Sequence, residues 1–188
     1  MEFILASTSP RRKELLGIIV PRFECAAPQF DEGQIDIKNA REKALVLSRE
    51  KCKDVVSRTD KKDAVIIASD TVVDLGGQIL EKPQDMADAY IMIKSLSDNK
   101  HKVHTAVTVY CRGIYYTFAD TTEVYVDKIP EKAIMDYIIT DEPYDKAGGY
   151  AIQGFMGGYI SRINGNYHNV VGLPLAKLNK LLKNIKVL

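Results

Sequence analysis

Short apolar runs alternate with stretches of helical periodicity along this chain, and the runs predict the strands. Residues 3–6 form a continuous apolar run and residues 65–68 form another, as expected of strands that are covered on both faces. Gly76-Gly77 separates two short apolar runs, which predicts a hairpin. Further extended segments are predicted at residues 22–27, 101–110 and 114–126.

Apolar residues at a spacing of three and four predict the helices. Ser9 and Pro10 begin the first, which is expected to end near Gly17. The other helices are predicted from about Asp36 to Val56, from Asp85 to Leu96, from Pro130 to Ile138 and from Pro174 to Ile185. The glycine-rich stretch from Glu142 to Asn169 is expected to be mostly loop and short strand. Strands and helices in alternation predict an α/β fold with a mixed sheet.

Composition narrows the class of protein. The 188 residues carry 26 basic and 25 acidic side chains, and a net charge of +1 argues against bulk nucleic-acid binding, so any basic site must be local. This length suits one large domain or two small ones. The three cysteines include no CxxC pair, which argues against a disulfide framework or a zinc site and agrees with a reducing cytoplasm. No signal-like N-terminus or long apolar span is found, so neither secretion nor a membrane location is indicated.

The turn after the first strand holds the strongest chemical signal. It reads Ser7-Thr8-Ser9-Pro10-Arg11-Arg12, and Ser9 is predicted to be the N-cap of the helix that Pro10 begins. The free amides of a helix start bind anions, phosphate above all. Two arginines in a first turn oppose the helix dipole, and a polyanionic ligand would explain them. Solvated surface charge is the alternative.

Two acidic positions are candidates for catalysis and metal binding. Asp70 follows the buried run at residues 65–68, where a desolvated carboxylate has a raised pKa and suits a general base. A turn-capping role is the alternative for Asp70. Glu32 follows Asp31 in a polar loop and could hold Mg²⁺ or Mn²⁺ together with Asp70. The alternative for this loop pair is solvated surface.

Further polar groups are candidates for binding. Lys43 lies at the edge of a helical apolar stripe, where it either points into a cleft or snorkels to solvent. Lys82 precedes a proline in a loop between elements. The segment that starts at Glu142 contains Asp145, Lys146 and Gln153, and a glutamine amide can read a base edge. The chain has no P-loop, GxGxxG, HExxH or GxSxG motif, and its three histidines lack metal-ligand spacing.

Together these segments resemble the Maf family of nucleoside triphosphate pyrophosphatases. The matching pieces follow in order: Ser7 to Arg12, Phe30 to Glu32, Ala40 with Lys43-Ala44, Ala68 to Val73, Lys82 to Asp85, Leu96-Ser97 with His101, Val103 and Thr105, Glu142-Pro143 with Asp145 to Gly148, Tyr150 with Gln153-Gly154, and Val171 to Leu175. Single motifs are weak, but the ordered set is specific and covers essentially the whole chain. Glu81 departs from the family's usual glycine before the Lys-Pro pair, and Asp98 from its usual glycine after serine.

The resemblance implies a fold shared with inosine triphosphate pyrophosphatases, a twisted mixed sheet flanked by helices around a deep cleft. It implies a single domain over residues 1–188, in one or two lobes, and paired subunits. It further implies metal-dependent hydrolysis of a nucleoside triphosphate to the monophosphate and pyrophosphate, with Asp70 as proton acceptor. Arg12, Thr71 and Gln153 match the positions that set nucleotide choice in the branch acting on dTTP and UTP.

The residues and the resemblance combine into one hypothesis. Asp70 and Glu32 hold the metal, and Asp70 deprotonates water for in-line attack at the α-phosphorus. Arg11 or Arg12, Lys43 and Lys82 stabilise the leaving pyrophosphate. The remaining substrate contacts are assigned to Ser7, Ser9, Thr71, Asp145, Lys146 and Gln153. The alternatives are a 7-methyl-GTP pyrophosphatase of the sister branch and a non-catalytic nucleotide- or nucleic-acid-binding regulator of cell division.

Overall fold

The computed structural model describes residues 1–61 and 63–188. Its strands are β1 (Phe3–Ala6), β2 (Glu24–Cys25), β3 (Val65–Leu75), β4 (Gln78–Leu80), β5 (Asn99–Cys111), β6 (Ile114–Val126) and β7 (Ile160–Asn164). Its α-helices are α1 (Pro10–Ile19), α2 (Ala40–Arg58), α3 (Met86–Leu96), α4 (Glu131–Ile138), α5 (Tyr167–Val171) and α6 (Leu175–Asn184).

The seven strands form one mixed sheet in the order β2-β1-β3-β5-β6-β7, with β4 paired to β3. β1 runs parallel to β2 and to β3, and all the other pairs are antiparallel. The predicted hairpin is confirmed, because β3 and β4 pair on either side of Gly76 and Gly77, which both have positive φ. The prediction of a mixed α/β fold is therefore correct.

Helices cover both faces of the sheet, and the alternation of side chains along β3 shows how. Ile67 packs with Leu16 of α1 and Leu178 of α6 on one face. Its neighbour Ile66 packs with Cys52 of α2 on the other. Farther along the first face, α3 and α4 pack over β5 and β6 in a further apolar cluster. β3 is thus buried from both sides, as its continuous apolar run indicates.

Two predicted helix boundaries are wrong for local reasons. α2 begins at Ala40 rather than near Asp36, because the Asn39 side chain accepts a hydrogen bond from the Glu42 amide at 2.9 Å and caps the helix there. α1 continues through Gly17 to Ile19. Gly17 does not take the left-handed conformation of a C-terminal glycine cap, so it does not end the helix.

The segment between α4 and α6 is more regular than predicted. It contains three short 3-10 turns, at Glu142–Asp145, Ala147–Gly149 and Phe155–Gly158, followed by β7 and the unpredicted helix α5. Gly148 has φ of 70° and its Cα packs on Val73 of β3, where a Cβ would lie 3.1 Å from the valine methyl groups. The positive φ and the close approach both favour glycine here, and the contact seats the segment against the sheet.

β3 is longer than its partners on one side, and this leaves a gap in the sheet. β1 pairs with residues 65–68 of β3 and β4 pairs with residues 73–75, while β5 occupies the opposite side. Residues 69–72, here called the edge gap, therefore have no strand partner on the β1 side among the described residues. The edge gap contains Asp70 and Thr71.

Candidate active site

A cavity of about 360 Å³ lies next to the edge gap. Its walls come from the β1–α1 turn, the loop before α2, α2 itself, the loop after β4 and α5. Residues 142–158, which hold the three 3-10 turns and are here called the 3-10 segment, complete the walls. The polar side chains that line it are those of Ser7, Thr8, Ser9, Arg11, Arg12, Glu32, Lys51, Thr71, Lys82, Asp145, Lys146, Tyr150 and Gln153. The cavity thus brings together most of the residues that the sequence singled out.

The β1–α1 turn forms one wall. Ser9 occupies the N-cap position in an extended conformation, as predicted, but its side chain makes no capping hydrogen bond. Ser7 instead accepts a hydrogen bond from the Ser9 amide at 3.1 Å. Since the first amides of a helix have no partner within it, those of Arg11 and Arg12 are donors that α1 does not itself satisfy. This wall has the character of an anion site.

A lysine that the sequence analysis missed links the two predicted metal-binding carboxylates. The Lys51 ammonium binds Asp70 Oδ1 and lies 2.9 Å from Glu32 Oε1. The Lys51 and Asp70 side chains are only 11% and 8% exposed, so this pair is shielded from solvent. A signal existed: Lys51 follows Ala40, Ala44 and Leu47 on the buried stripe of α2, four residues after Leu47.

Burial dominates the electrostatics of Asp70. Desolvation raises the pKa of the Asp70 carboxyl, and the charges of Lys51 and Arg12 oppose the rise without cancelling it. Asp70 does not itself line the cavity but lies behind Lys51, which does. The carboxylate is therefore a stronger base than an exposed aspartate, held next to the cavity by an ammonium group.

Arg12 is held on the other face of the sheet. Its Nε donates to the carbonyl of Gly172 at 3.0 Å, and its Nη2 donates to Thr71 Oγ1 at 3.1 Å. Burial lowers the pKa of Arg12, while the charges of Asp70 and Glu32 act in the opposite direction. Gly172 has φ of 122°, a backbone conformation that favours glycine, and its carbonyl is thereby presented to Arg12.

The 3-10 segment contributes two predicted substrate-binding residues of opposite charge, Asp145 and Lys146, and both line the cavity. Lys146 binds the Asp145 carboxylate and donates to the Glu142 carbonyl at 2.6 Å. Partial burial raises the pKa of Asp145, but the hydrogen bond from Lys146 and the charges of Lys146 and Arg11 outweigh it, so the net pKa is lowered. Asp145 is thus ionised, and Lys146 is the cation that binds it.

Lys43 does not line the cavity in this structure, and its predicted contact with the substrate stays a prediction. Its ammonium binds the carboxylate of Glu81, and Lys43 is absent from the lining residues. Glu81, the position that departs from the family pattern, therefore neutralises Lys43 at the side of the site. Lys82, the next residue, does line the cavity.

The carboxylates that could hold a metal ion are few. Within residues 1–61 and 63–188, no group of three or more His, Cys, Asp or Glu side chains is placed to hold one. Glu32 and Asp70 nevertheless converge on a single cation, the Lys51 ammonium. Two carboxylates of this kind suit Mg²⁺, which commonly takes one or two from the protein and its other ligands from phosphates and water.

Fold and cavity define an α/β protein with a basic cleft at the edge gap of β3, an interior strand of its mixed sheet. The chain belongs to the Maf family, whose model, described as "Maf-like protein", matches residues 2–185.

Curated relatives are similar over the full length. A Clostridium perfringens protein named "dTTP/UTP pyrophosphatase" is 44% identical over 190 residues, covering 100% of this chain and 98% of that protein. Proteins of the same name from Clostridium tetani and Vibrio cholerae are each 42% identical, covering 100% and 96% of this chain and 99% and 96% of those proteins.

Among solved structures, a HAM1 protein from Coxiella burnetii shares the fold. The two chains superpose with a TM-score of 0.50 at 13% identity, over 98% of this chain and 99% of that one. This likeness supports the architecture alone. Among the residues described here, none of the helices combines the length and apolar character needed to span a bilayer.

Proposed function

We propose that this chain is an enzyme that hydrolyses dTTP and UTP to the nucleoside monophosphate and pyrophosphate. The observation that carries the proposal is the buried Asp70 carboxylate, held by Lys51 behind a cavity that Arg11, Arg12 and Lys82 line. The relatives' name agrees with this chemistry, since they match along the whole chain. A base next to a basic cavity is what water attack on a triphosphate requires.

Asp70 acts as the general base in this proposal. Lys51 binds Oδ1, so Oδ2 is the oxygen left to accept a proton from water. The water oxygen forms a bond to the α-phosphorus as the bond from that phosphorus to the bridging oxygen breaks, and pyrophosphate leaves with the electron pair. The raised pKa makes the Asp70 carboxylate a better proton acceptor than an exposed aspartate.

Lys51 is the residue that couples Asp70 to the substrate. It lies between Asp70 and the cavity, where phosphate oxygens would compete with the carboxylate for its ammonium. Moving toward the phosphate, it neutralises negative charge on the substrate and leaves Asp70 less stabilised as an anion, hence more basic. One side chain thereby links substrate entry to activation of the base.

Binding of the triphosphate is assigned to the basic groups and free amides that line the cavity. These are Arg11, Lys82 and the free amides at the start of α1, with Ser7, Ser9 and Lys146 nearby. These groups hold charge in place as pyrophosphate leaves, which is mostly positioning and electrostatics. Lys43 is left out of this set because Glu81 binds it.

Mg²⁺ or Mn²⁺ fits the Glu32 and Asp70 carboxylates, because both already reach one cation. When bound, such an ion would neutralise charge on the triphosphate oxygens. Glu32 is half exposed and Asp70 buried, so Glu32 is the carboxylate that can follow an incoming ion while Asp70 stays fixed on β3.

Nucleotide choice is assigned to Arg12, Thr71 and Gln153. Arg12 and Thr71 are hydrogen-bonded to one another at 3.1 Å and both line the cavity, as does Gln153 from the 3-10 segment. Guanidinium, hydroxyl and amide groups can each pair with the polar edge of a base. Asp145 also lines the cavity, and the charge of Arg11 acts on its carboxylate.

The proposal takes residues 1–188 as one domain, because a single sheet carries both faces of the core. A cytoplasmic setting agrees with the three free cysteines. A homodimer remains a prediction, to be checked by sedimentation of the purified chain.

A nucleotide panel tests the proposed activity. The purified protein is incubated with Mg²⁺ and each of dTTP, UTP, CTP, dATP, GTP and 7-methyl-GTP, and the products are separated by ion-exchange chromatography. We expect monophosphate and pyrophosphate from dTTP and UTP. Turnover confined to 7-methyl-GTP would assign the sister activity, and binding without any product would make the protein a nucleotide-binding regulator.

A further inference from the structure

A row of four hydrogen-bonded groups runs from the cavity into the protein. Arg12 Nη2 lies 3.1 Å from Thr71 Oγ1, which lies 3.0 Å from Thr105 Oγ1. Thr105 Oγ1 in turn lies 2.7 Å from the backbone carbonyl oxygen of Asn169. Arg12 and Thr71 line the cavity, whereas Thr105 and Asn169 are fully buried.

Chemistry permits only one direction of donation along this row. The Asn169 carbonyl can only accept, so the single hydroxyl proton of Thr105 points to it. The Thr71 hydroxyl must then donate to Thr105, since Thr105 has no second proton. The Arg12 guanidinium can only donate, and it donates to Thr71.

Asn169, at the buried end of the row, is held in one orientation, so the direction of donation there cannot reverse. The Asn169 side chain accepts from the Thr105 amide at 3.2 Å and donates to the Val103 carbonyl and to Thr122 Oγ1, each at 2.9 Å. These three hydrogen bonds hold α5 against β5 and β6, so the Asn169 carbonyl stays aimed at Thr105. The direction of the row is therefore built into the fold.

We propose that Thr105 is a positioning residue for base selection, which acts by making Thr71 an acceptor and never a donor toward the cavity. This inference rests on the proposed function, in which Arg12 and Thr71 face the base. With its proton committed to Thr105, Thr71 offers the ligand only a lone pair, and Arg12 beside it offers only N–H groups.

A wall with one acceptor next to donors matches the edge of one kind of pyrimidine. Uracil and thymine carry a ring N–H beside carbonyl oxygens, and these pair with the Thr71 lone pair and the Arg12 N–H groups. Cytosine carries an unprotonated ring nitrogen beside an amino group, so donor would face donor and acceptor would face acceptor. Unpaired polar groups in a closed site are strongly disfavoured.

The test removes the Thr105 hydroxyl and measures selectivity rather than activity alone. Thr105→Val and Thr105→Ala both remove it, whereas Thr105→Ser keeps it and lacks only the methyl group. We expect the ratio of kcat/KM for UTP to that for CTP to fall at least tenfold in the Val and Ala variants, about the effect of one lost hydrogen bond. In Thr105→Ser the ratio stays close to that of the unaltered protein.

A matched control separates this role from packing. Thr108 is also fully buried on β5, but its hydroxyl contacts Ser48 and Thr117 on the other side of the sheet. Thr108→Val should leave the UTP to CTP ratio unchanged. In a Thr71→Val background, Thr105→Val should change the ratio no further, because Thr105 acts through Thr71.

Distinct results overturn the inference and the proposed function. An unchanged ratio in folded Thr105→Val and Thr105→Ala, checked by circular dichroism, overturns the role of Thr105. If the Val variant does not fold, the Ala and Ser pair decides. Absence of turnover in the unaltered protein overturns the proposed function instead. The dissociation constants of UTP and CTP, measured by calorimetry in the same variants, then decide the role of Thr105.

Discussion

Asp70 and Thr71 are consecutive residues of β3, yet they contact different helices on opposite faces of the sheet. Asp70 binds Lys51 of α2, and Thr71 accepts a hydrogen bond from Arg12 of α1. Both lie in the edge gap, where no strand among the described residues covers them on the β1 side, and the same cavity lies next to both. A single ligand can therefore contact the Thr71 hydroxyl and the Lys51 ammonium that covers Asp70.

Asp70→Asn should lower kcat for UTP by roughly two to four orders of magnitude, the range expected for loss of a general base. UTP binding should persist, because the basic groups on the cavity wall are unchanged. Stopped-time assays give kcat, and calorimetry gives the dissociation constant. Near-normal turnover in the folded variant would show that Asp70 does not take the proton.

Lys51→Met should move the acidic limb of the kcat/KM profile to higher pH. Lys51 lowers the pKa of Asp70, so its removal raises that pKa, and a base is lost as the pH falls through its pKa. The matched control is Lys53→Met, on the same helix but half exposed and paired with Glu50. An acidic limb that stays in place in Lys51→Met would contradict the proposed coupling.

Glu32→Gln should raise the Mg²⁺ concentration that gives half-maximal activity, since it removes one of the two carboxylates that converge on Lys51. Titration of Mg²⁺ at fixed UTP measures the change. Asp31→Asn is the neighbouring control, because the Asp31 carboxylate instead accepts from the Gly33 amide within its own loop. An identical Mg²⁺ dependence in Glu32→Gln and the unaltered protein would exclude Glu32 as a metal ligand.

Lys82→Met should raise KM for UTP about tenfold, the effect of losing one charge-assisted hydrogen bond. Lys43→Met should leave KM nearly unchanged, because Lys43 is bound to Glu81 outside the cavity lining. Initial rates over a range of UTP concentrations measure both. The reverse result, with Lys43→Met the more harmful, would mean that the Lys43–Glu81 ion pair opens when substrate binds.

His101 should make the fold sensitive to acid. Burial lowers the pKa of His101 to about 4, from 6.5, and its Nε2 pairs with the Tyr150 hydroxyl at 2.5 Å. The unfolded chain takes up a proton near pH 6.5 that the folded chain refuses until about pH 4, so stability falls across that interval. The loss of unfolding free energy is on the order of 3 kcal/mol as the pH falls from 6.5 to about 4, and it levels off below about pH 4.

The comparison for this prediction is His101→Gln, which has no titrating ring. Urea unfolding at several pH values between 4 and 7 should show a steeper loss of unfolding free energy in the unaltered protein than in the variant. Parallel curves for the two proteins would remove His101 as the source of the acid sensitivity.

Much of the fold follows from patterns that are local in sequence. Asp85 was predicted to begin a helix, and its side chain accepts from the Asp88 amide at 2.8 Å. The Gly76-Gly77 turn joins β3 to β4, and Pro10 begins α1, as expected from the backbone preferences of these residues. Such features depend on neighbours a few residues away, so sequence alone determines them.

The charges of the site were decided by tertiary packing. The sequence determined that Asp70, Glu32 and several basic residues exist at motif positions, but Lys51 reaches Asp70 only because α2 lies across that face of β3. Lys43 is drawn instead to Glu81, 38 residues away along the chain. The edge gap likewise arises from where β1 ends and β4 begins along β3. An ion pair depends on distance in space, which sequence separation does not specify, so only the folded structure could assign these partners.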